Sequence, residues 1–289
     1  MLSYSTFSSL SNMLNVYAAD DCDGTSTCIN VDLGTSNSQI NNCRRNSECI
    51  NTAIGNSNTN TNNCSNNAAC DNNAVGNLNT LANNCRTSHC NNVAIGDSNT
   101  QNSNCVDSNC ARPIPDAEGN SNTQIKNCRS ISTSCDTRTF GNSNTQNVNC
   151  AANTNNQPAT CEVIINGVSN TQNMNCQNSG ECRIVDFGSL NNENMNCANS
   201  VDCFTLNFID GGNSNTQNMN CQNSGDCSNL NICCGSITTQ NTACQSSDQC
   251  VNGGLNTNVI SNSAPSCISG NPDTTTICQR DRTFTFPNH

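Results

Sequence analysis

The segment Gly141-Asn-Ser-Asn-Thr-Gln-Asn-Val-Asn-Cys150 decides the fold, because close copies of it recur along the chain. The copy from Gly212 to Cys221 differs from it only at Met219. Ten glycines each precede a cysteine by nine residues, at Gly34, Gly55, Gly76, Gly96, Gly119, Gly141, Gly167, Gly188, Gly212 and Gly235. A spacing that never varies indicates a packed element, so each copy predicts one strand of a repeat protein.

The cysteines repeat with the same period. The first cysteine of each pair recurs every 20 to 26 residues, at Cys22, Cys43, Cys64, Cys85, Cys105, Cys128, Cys150, Cys176, Cys197, Cys221, Cys244 and Cys267. The second follows after a stretch of variable length, at Cys28, Cys49, Cys70, Cys90, Cys110, Cys135, Cys161, Cys182, Cys203, Cys227, Cys250 and Cys278. We therefore predict an all-β, disulfide-stapled parallel β-solenoid of about twelve coils, each of 20–26 residues, over residues 22–278.

A second strand in each repeat runs from the second cysteine to the next glycine. Its third and fifth positions after cysteine are often apolar, as in Val31 and Leu33 or Val185 and Phe187, and a polar residue lies between them. This alternation predicts a half-buried strand. The glycine that follows permits a tight turn.

Residues that depart from the commonest repeat sequence are used to predict which side chains of the Asn-rich strand face inward. Leu78 and Ile40 occupy even positions after glycine, whereas Lys126 occupies an odd one. We therefore expect Ser, Thr and the even-position Asn to face inward, in stacked ladders that bond to their copies one coil away. Leu81 and Met174 lie on the opposite parity and oppose this assignment.

The cysteines are best explained as structural disulfides. We expect each to bond to its partner within the same coil; bridges between adjacent coils are the alternative, because connectivity does not follow from sequence. Cys233 and Cys234 break the pattern and suggest a bond between neighbours. Zinc sites favour closer cysteine pairs with His partners, so we expect no metal and no cofactor.

Composition limits the fold and its surroundings. The chain has 62 asparagines and 26 cysteines, but 3% aromatic and 11% charged residues. It cannot supply the bulky core of an ordinary globular domain. So many cysteines indicate an oxidising compartment, so we expect a secreted, extracellular or cell-surface protein.

Charge and hydropathy exclude two classes of partner. The net charge is −11 and the ten basic residues are scattered, which argues against nucleic acid. No apolar run of 18 or more residues is present, so no membrane-spanning segment is predicted.

Both ends of the chain differ from the repeats. Residues 1–21 precede the first cysteine and are expected to be a signal remnant or a retained cap. Residues 279–289 contain the alternating segment Arg282-Thr-Phe-Thr-Phe286, a possible capping or docking strand.

Catalysis is not expected. A nucleophile needs a histidine beside it, and the two histidines are His89, in a predicted turn, and His289, the last residue. We predict an extracellular structural protein, cell-surface or filament-forming, that associates with itself end to end. A carbohydrate-binding, adhesin-like surface is a further alternative.

The repeat also resembles, at the level of architecture, the disulfide-rich β-helical antifreeze proteins, which stack short coils under a flat threonine ladder. The resemblance implies an ice-binding function as the main alternative. The aligned threonines are Thr59, Thr80, Thr100, Thr123, Thr145, Thr171, Thr216 and Thr239. The chain departs from that family because its repeat is longer and lacks Thr-x-Thr.

Overall fold

The computed structural model of this protein describes residues 3–6, 17–107, 117–129, 134–151, 160–208, 215–245, 249–263, 274–279 and 282–287. Among these residues the regular structure is entirely β. The chain forms two compact units, Met1–Gly141 and Asn142–His289. A search of the described residues for helices long and apolar enough to cross a membrane finds none.

In the first unit, successive strands alternate between two parallel sheets. Sheet A contains the strands that lead to the first cysteine of each pair: β2 (Tyr17–Asp23), β4 (Ser38–Arg44), β6 (Thr59–Ser65), β8 (Thr80–Arg86), β10 (Thr100–Val106) and β12 (Thr123–Arg129). Sheet B contains β1 (Ser3–Thr6), β3 (Thr27–Leu33), β5 (Glu48–Ile54), β7 (Ala69–Val75), β9 (His89–Ile95), β11 (Ala117–Glu118) and β13 (Ser134–Phe140).

The second unit repeats this arrangement. Its sheet A contains β14 (Thr145–Ala151), β16 (Thr171–Gln177), β18 (Asn192–Ala198), β20 (Thr216–Gln222) and the second half of β21 (Asp226–Gln245). Its sheet B contains β15 (Thr160–Val168), β17 (Glu181–Ser189), β19 (Asp202–Phe208), the first half of β21, the first half of β22 (Gln249–Ser263), β23 (Thr274–Gln279) and β24 (Arg282–Pro287). The second half of β22 pairs with the second half of β21 and so extends sheet A.

The register between coils confirms the predicted parallel β-solenoid. Equivalent residues stack on one another, as in Cys43 on Cys64 and Gln101 on Gln124. Among the described residues the number of parallel coils is slightly lower than the expected twelve, because the strand that contains Cys278 of the last predicted pair runs antiparallel. Strand β23 pairs antiparallel with β22, and β24 pairs antiparallel with β23.

The turn after sheet B explains the Gly-Asn-Ser-Asn motif. Gly55 has φ 137°, and a Cβ on it would lie 1.8 Å from the carbonyl oxygen of Gly34 one coil away. Ser57 follows with φ 59°, in the left-handed region. Asn58 then joins this turn to the one in the preceding coil, because its Nδ2 donates to the Gly34 carbonyl at 3.2 Å. Coils can therefore stack this closely only where glycine occupies the turn.

The interior contains a ladder of buried asparagines that joins the two sheets. Asn30 of sheet B donates to Asn41 of sheet A at 2.6 Å, and Asn41 donates to Asn51 at 2.8 Å. Asn51 continues the ladder to Asn62 at 2.8 Å and to Asn72 at 3.1 Å. These side chains are 0–1% exposed. An interior asparagine ladder is therefore present, with each of these amides bonded to another polar group, but in sheet A it is built from odd positions that were expected to face outward.

The predicted facing of sheet A is wrong. The odd positions after glycine are the buried ones, as shown by Gln101, Leu81 and Met174, whereas the threonines at position four are partly or fully exposed. The disulfide is the physical reason. Cysteine, at position nine, must face inward to reach its partner, and positions five and seven share its face because side chains alternate along a strand.

In sheet B, the apolar half of the alternating pattern faces outward. Asn30 and Asp32 are buried beside Cys28, whereas Val31 and Leu33 are 45% and 59% exposed. In the first unit the interior contains mainly cysteine, alanine and amide side chains, and Leu81 is a large apolar exception.

Candidate functional site

The structure places nine predicted cysteine pairs in disulfides within single coils. Their Cα–Cα distances run from 6.1 to 6.7 Å, and the pairs are Cys22–Cys28, Cys43–Cys49, Cys64–Cys70, Cys85–Cys90, Cys128–Cys135, Cys150–Cys161, Cys176–Cys182, Cys197–Cys203 and Cys221–Cys227. Each bridge joins the last inward position of a sheet A strand to the first inward position of the next sheet B strand. The bridges therefore close the second turn of each coil.

Of the cysteines outside these nine pairs, Cys105 and Cys244 are also disulfide-bonded. The side chains of Cys110, Cys233, Cys234, Cys250, Cys267 and Cys278 lie outside the described residues, so the bond between the two neighbours stays a prediction. Sulfur atoms from adjacent coils approach within 4.8 Å, as at Cys22, Cys28 and Cys49. Bonded sulfurs are not the thiolates that ligate metals.

The structure does not bring a catalytic constellation around His89. This side chain is exposed at the start of β9, beside Ala69 in the neighbouring strand. No described side chain forms a hydrogen bond or an ion pair with it. His289 lies outside the described residues.

Two carboxyl groups are buried together in the second unit, a feature that the sequence interpretation missed. Asp186 of β17 and Glu193 of β18 are both 0% exposed. Burial raises the pKa of Asp186 to about 6, and burial together with the neighbouring Asp186 raises the pKa of Glu193 well above its usual value. Asn191 and Gln172 lie close enough to oppose part of the Asp186 shift, but neither Asp186 oxygen has a well-formed hydrogen bond.

The predicted threonine ladder lies on the outward face of sheet A. In the first unit Thr59, Thr80, Thr100 and Thr123 stack in one column. In the second unit the column contains Thr145, Thr171, Asn192, Thr216 and the backbone position of Thr239. The described threonine side chains are half-buried or exposed. The correction of the facing therefore turns this ladder toward solvent.

The outward face of sheet B in the first unit bears an apolar stripe, which we define as Leu33, Ile54, Val75 and Ile95. These residues stack in register across β3, β5, β7 and β9. Each is 45–59% exposed. In the second unit the corresponding face includes Phe187 and Phe208, whose rings stack with centroids 5.1 Å apart. Exposed apolar surface of this regularity is typical of an interaction site.

The outward face of sheet A in the second unit bears two columns of asparagines with a groove between them. The groove has a volume of about 860 Å³. The first amide column consists of Asn147, Asn173, Asn194 and Asn218. The second amide column consists of Asn149, Asn175, Asn196 and Asn220. The backbone of Met174, Met195 and Met219 runs between the columns, and their side chains point inward.

One signal in the sequence would have revealed these outward faces. Counting back from each cysteine in steps of two marks the inward residues, so Asn175 and Asn173, which precede Cys176 by one and three residues, must face out.

Comparisons with protein-family models, with curated proteins and with solved structures give no match to this chain.

Proposed function

We propose that this chain is an extracellular, non-catalytic structural protein whose copies associate through the apolar stripe of sheet B. The observation that carries the proposal is the stripe itself: four large aliphatic side chains, one per coil, that remain about half exposed in the isolated chain. Burying each half-exposed side chain would contribute roughly 1–2 kcal/mol. The many disulfides suit an oxidising, extracellular environment.

The spacing of the stripe favours a second copy as the partner. Its residues are separated by the distance between stacked strands, about 4.8 Å. A partner that covers Leu33, Ile54, Val75 and Ile95 together must present apolar groups with the same period. Another copy of this chain does so, because its own stripe has that period over four coils. The net charge of −11 opposes approach, so added salt is expected to strengthen association.

End-to-end association stays part of the proposal. Strand β24 is bonded on one side to β23, and no other described strand pairs with its second edge. An open strand edge can accept a strand from another chain. The two modes are compatible, since the stripe would act along the side of the solenoid and β24 at the end of a sheet.

The test combines Ile54→Lys with Val75→Glu, which makes the centre of the stripe polar and keeps the net charge. Leu78→Lys is the control, because Leu78 is 61% exposed but lies in a turn outside the stripe. We expect light scattering to show oligomers for the intact protein and for the control, and clearly smaller species for the double variant, because only association through β24 remains to it. Monomers of the intact protein at all concentrations, or a double variant whose oligomers are as large as those of the control, would contradict association through the stripe.

Ice binding is the second candidate, and the outward threonine column favours it. Thr145 and Thr171 stack in register on the solvent face of sheet A. Replacing both with Leu should leave thermal stability nearly unchanged, because neither side chain is in the core. If the intact protein shapes ice crystals and this variant does not, ice binding replaces self-association as the main function.

A further inference from the structure

In the two amide columns that flank the groove, the middle side chains use only half of their hydrogen-bonding capacity. In the first column, Asn173 donates to Asn147 at 2.8 Å and accepts from Asn194 at 2.9 Å. In the second column, Asn196 donates to Asn175 at 3.2 Å and accepts from Asn220 at 3.1 Å. A side-chain amide has two N–H donors and two acceptor lone pairs. Each of these rungs therefore keeps one donor and one acceptor that the column does not use.

The lining of the groove restricts the class of ligand. Its described residues are Asn, Met, Thr and Ala, so no ionisable side chain is available to hold a charged ligand. At Asn173, Asn194 and Asn196, in the coils of β16 and β18, these unused donors and acceptors recur at the spacing of stacked strands, about 4.8 Å. The complementary ligand is uncharged and repeats groups that both donate and accept, which is the chemistry of sugar hydroxyls.

We propose that this groove binds an extended, uncharged, β-linked polysaccharide that runs across the strands with about one sugar per coil. Consecutive sugars in such a chain repeat at nearly the spacing of stacked strands, so hydroxyls reach successive rungs without a change of register. The two columns flank the chain because they are two residues apart along each strand, about 7 Å.

The paired columns are not a general consequence of the fold. In the first unit one outward column is also amide, with Asn63 donating to Asn42 and Asn84 donating to Asn63, each at 2.9 Å. The column beside it contains Ile40, Thr61 and Ala82 at the equivalent positions. The first unit therefore offers one amide wall over these coils, and the second unit offers two.

Two other occupants are less compatible with the groove. An extended peptide bonds best to the backbone edge of a strand, whereas these walls are side chains on the face of a sheet. Ice would contact the same outward face, but a flat contact does not need walls. The experiment below distinguishes both of these occupants from a polysaccharide.

The experiment titrates the full-length protein with cellohexaose and chitohexaose in a calorimeter and uses maltohexaose, an α-linked chain that coils, as the ligand control. We expect both β-linked hexasaccharides to bind, and maltohexaose to bind at least about tenfold more weakly. Asn194→Ala combined with Asn196→Ala removes one rung from both columns and should weaken binding by about fivefold or more. Asn63→Ala combined with Asn84→Ala is the matched control in the first unit and should leave affinity within about twofold.

Circular dichroism and thermal melting establish that each variant is folded, and Asn194→Ser with Asn196→Ser replaces the alanine pair if that pair misfolds. The proposal is overturned if the intact protein binds no β-linked hexasaccharide, or if the groove variant binds as tightly as the control. It is also overturned if the intact protein shapes ice but binds neither β-linked chain.

Discussion

Asparagine has three structural roles in this chain, and the position of the residue decides which one it takes. Asn58 joins two stacked turns, Asn72 forms part of the buried ladder, and Asn63 belongs to an outward column. The amide suits all three because it donates and accepts in the same side chain and carries no charge. In a stack of identical amides each can donate to one copy and accept from the next, which suits a chain with 62 asparagines.

The buried ladder should be much more sensitive to substitution than the outward column. Asn72 donates to Asn83 at 2.8 Å and accepts from Asn51 at 3.1 Å, both in the interior. Asn72→Ala leaves buried partners unsatisfied and should reduce the free energy of unfolding by about 1–3 kcal/mol. The exposed substitution Asn63→Ala should change it by less than about 0.5 kcal/mol. Urea denaturation with the disulfides intact measures the free energy of unfolding of both variants. Equal losses would contradict the claim that the buried ladder stabilises the fold more than the outward column does.

The buried carboxyl pair predicts that the protein is more stable in mild acid. The ordinary pKa values are 3.8 for Asp186 and 4.5 for Glu193, and both are raised in the folded state. The folded state therefore holds protons that the unfolded chain releases, so this contribution to stability is fully present below about pH 4 and is lost as the pH rises through about 6. Melting temperatures at about pH 5 and about pH 8 should differ in that direction.

Glu193→Gln provides the control for this pH dependence. Gln172 and Gln217 stack directly on Glu193 in the adjacent strands, so glutamine at this position continues a column of the same residue. The variant should lose the part of the difference that Glu193 contributes, keep the part that comes from the buried Asp186, and be more stable than the wild type at the higher pH. A melting temperature that rises with pH in the wild type, or the same pH dependence in the variant, would show that the pair does not control it.

At the scale of the strand and turn, glycine sets the distance between coils. A Cβ at Gly55 would meet the Gly34 carbonyl oxygen, whereas a Cβ at Gly24 would meet nothing within 4 Å. Both glycines have positive φ, 137° and 74°, so both alanine variants carry backbone strain. The φ of 137° lies further from the left-handed region, so Gly55→Ala combines a larger backbone strain with the contact between coils.

Gly55→Ala should destabilise the protein considerably more than Gly24→Ala. We expect Gly24→Ala to cost about 1–2 kcal/mol, the price of a left-handed conformation for an L-residue. Gly55→Ala adds displacement of a stacked backbone and should cost at least about 2 kcal/mol more. Thermal melting of the two variants measures the difference. Equal losses would mean that neighbouring coils are not in contact at this turn.

The strands of this fold could be predicted from spacing, but their facing could not be predicted from hydrophobicity. The interval from Gly141 to Cys150 predicted the strand β14, and the cysteine pairs predicted the coil. The usual assumption that apolar residues face inward failed, because in the first unit the interior contains mainly cysteine, alanine and amide side chains, with few large apolar residues such as Leu81. Leu33 and Ile54 consequently lie outside. The outward amide columns were missed for the same reason.

At the scale of the whole molecule, stability depends on repetition rather than on one large core. In each unit, a coil is held by its own disulfide, by ladders to the coils beside it and by a glycine turn. The C-terminal end differs, since β23 and β24 run antiparallel there. The alternating tail predicted a strand at Arg282–Phe286, but nothing in its sequence indicated its direction.

Hydroxyl-radical footprinting of the intact protein at low and high concentration tests most directly the claim that an outward apolar stripe joins copies of the chain. In dilute solution we expect rapid oxidation of Ile54 and Val75 and protection of Met174 and Met195, which are 2% exposed. At high concentration, oxidation of Ile54 and Val75 should fall, while that of the turn residue Leu78 stays constant. Rapid oxidation of the methionines in dilute solution, or stripe labelling that does not change with concentration, would contradict the claim.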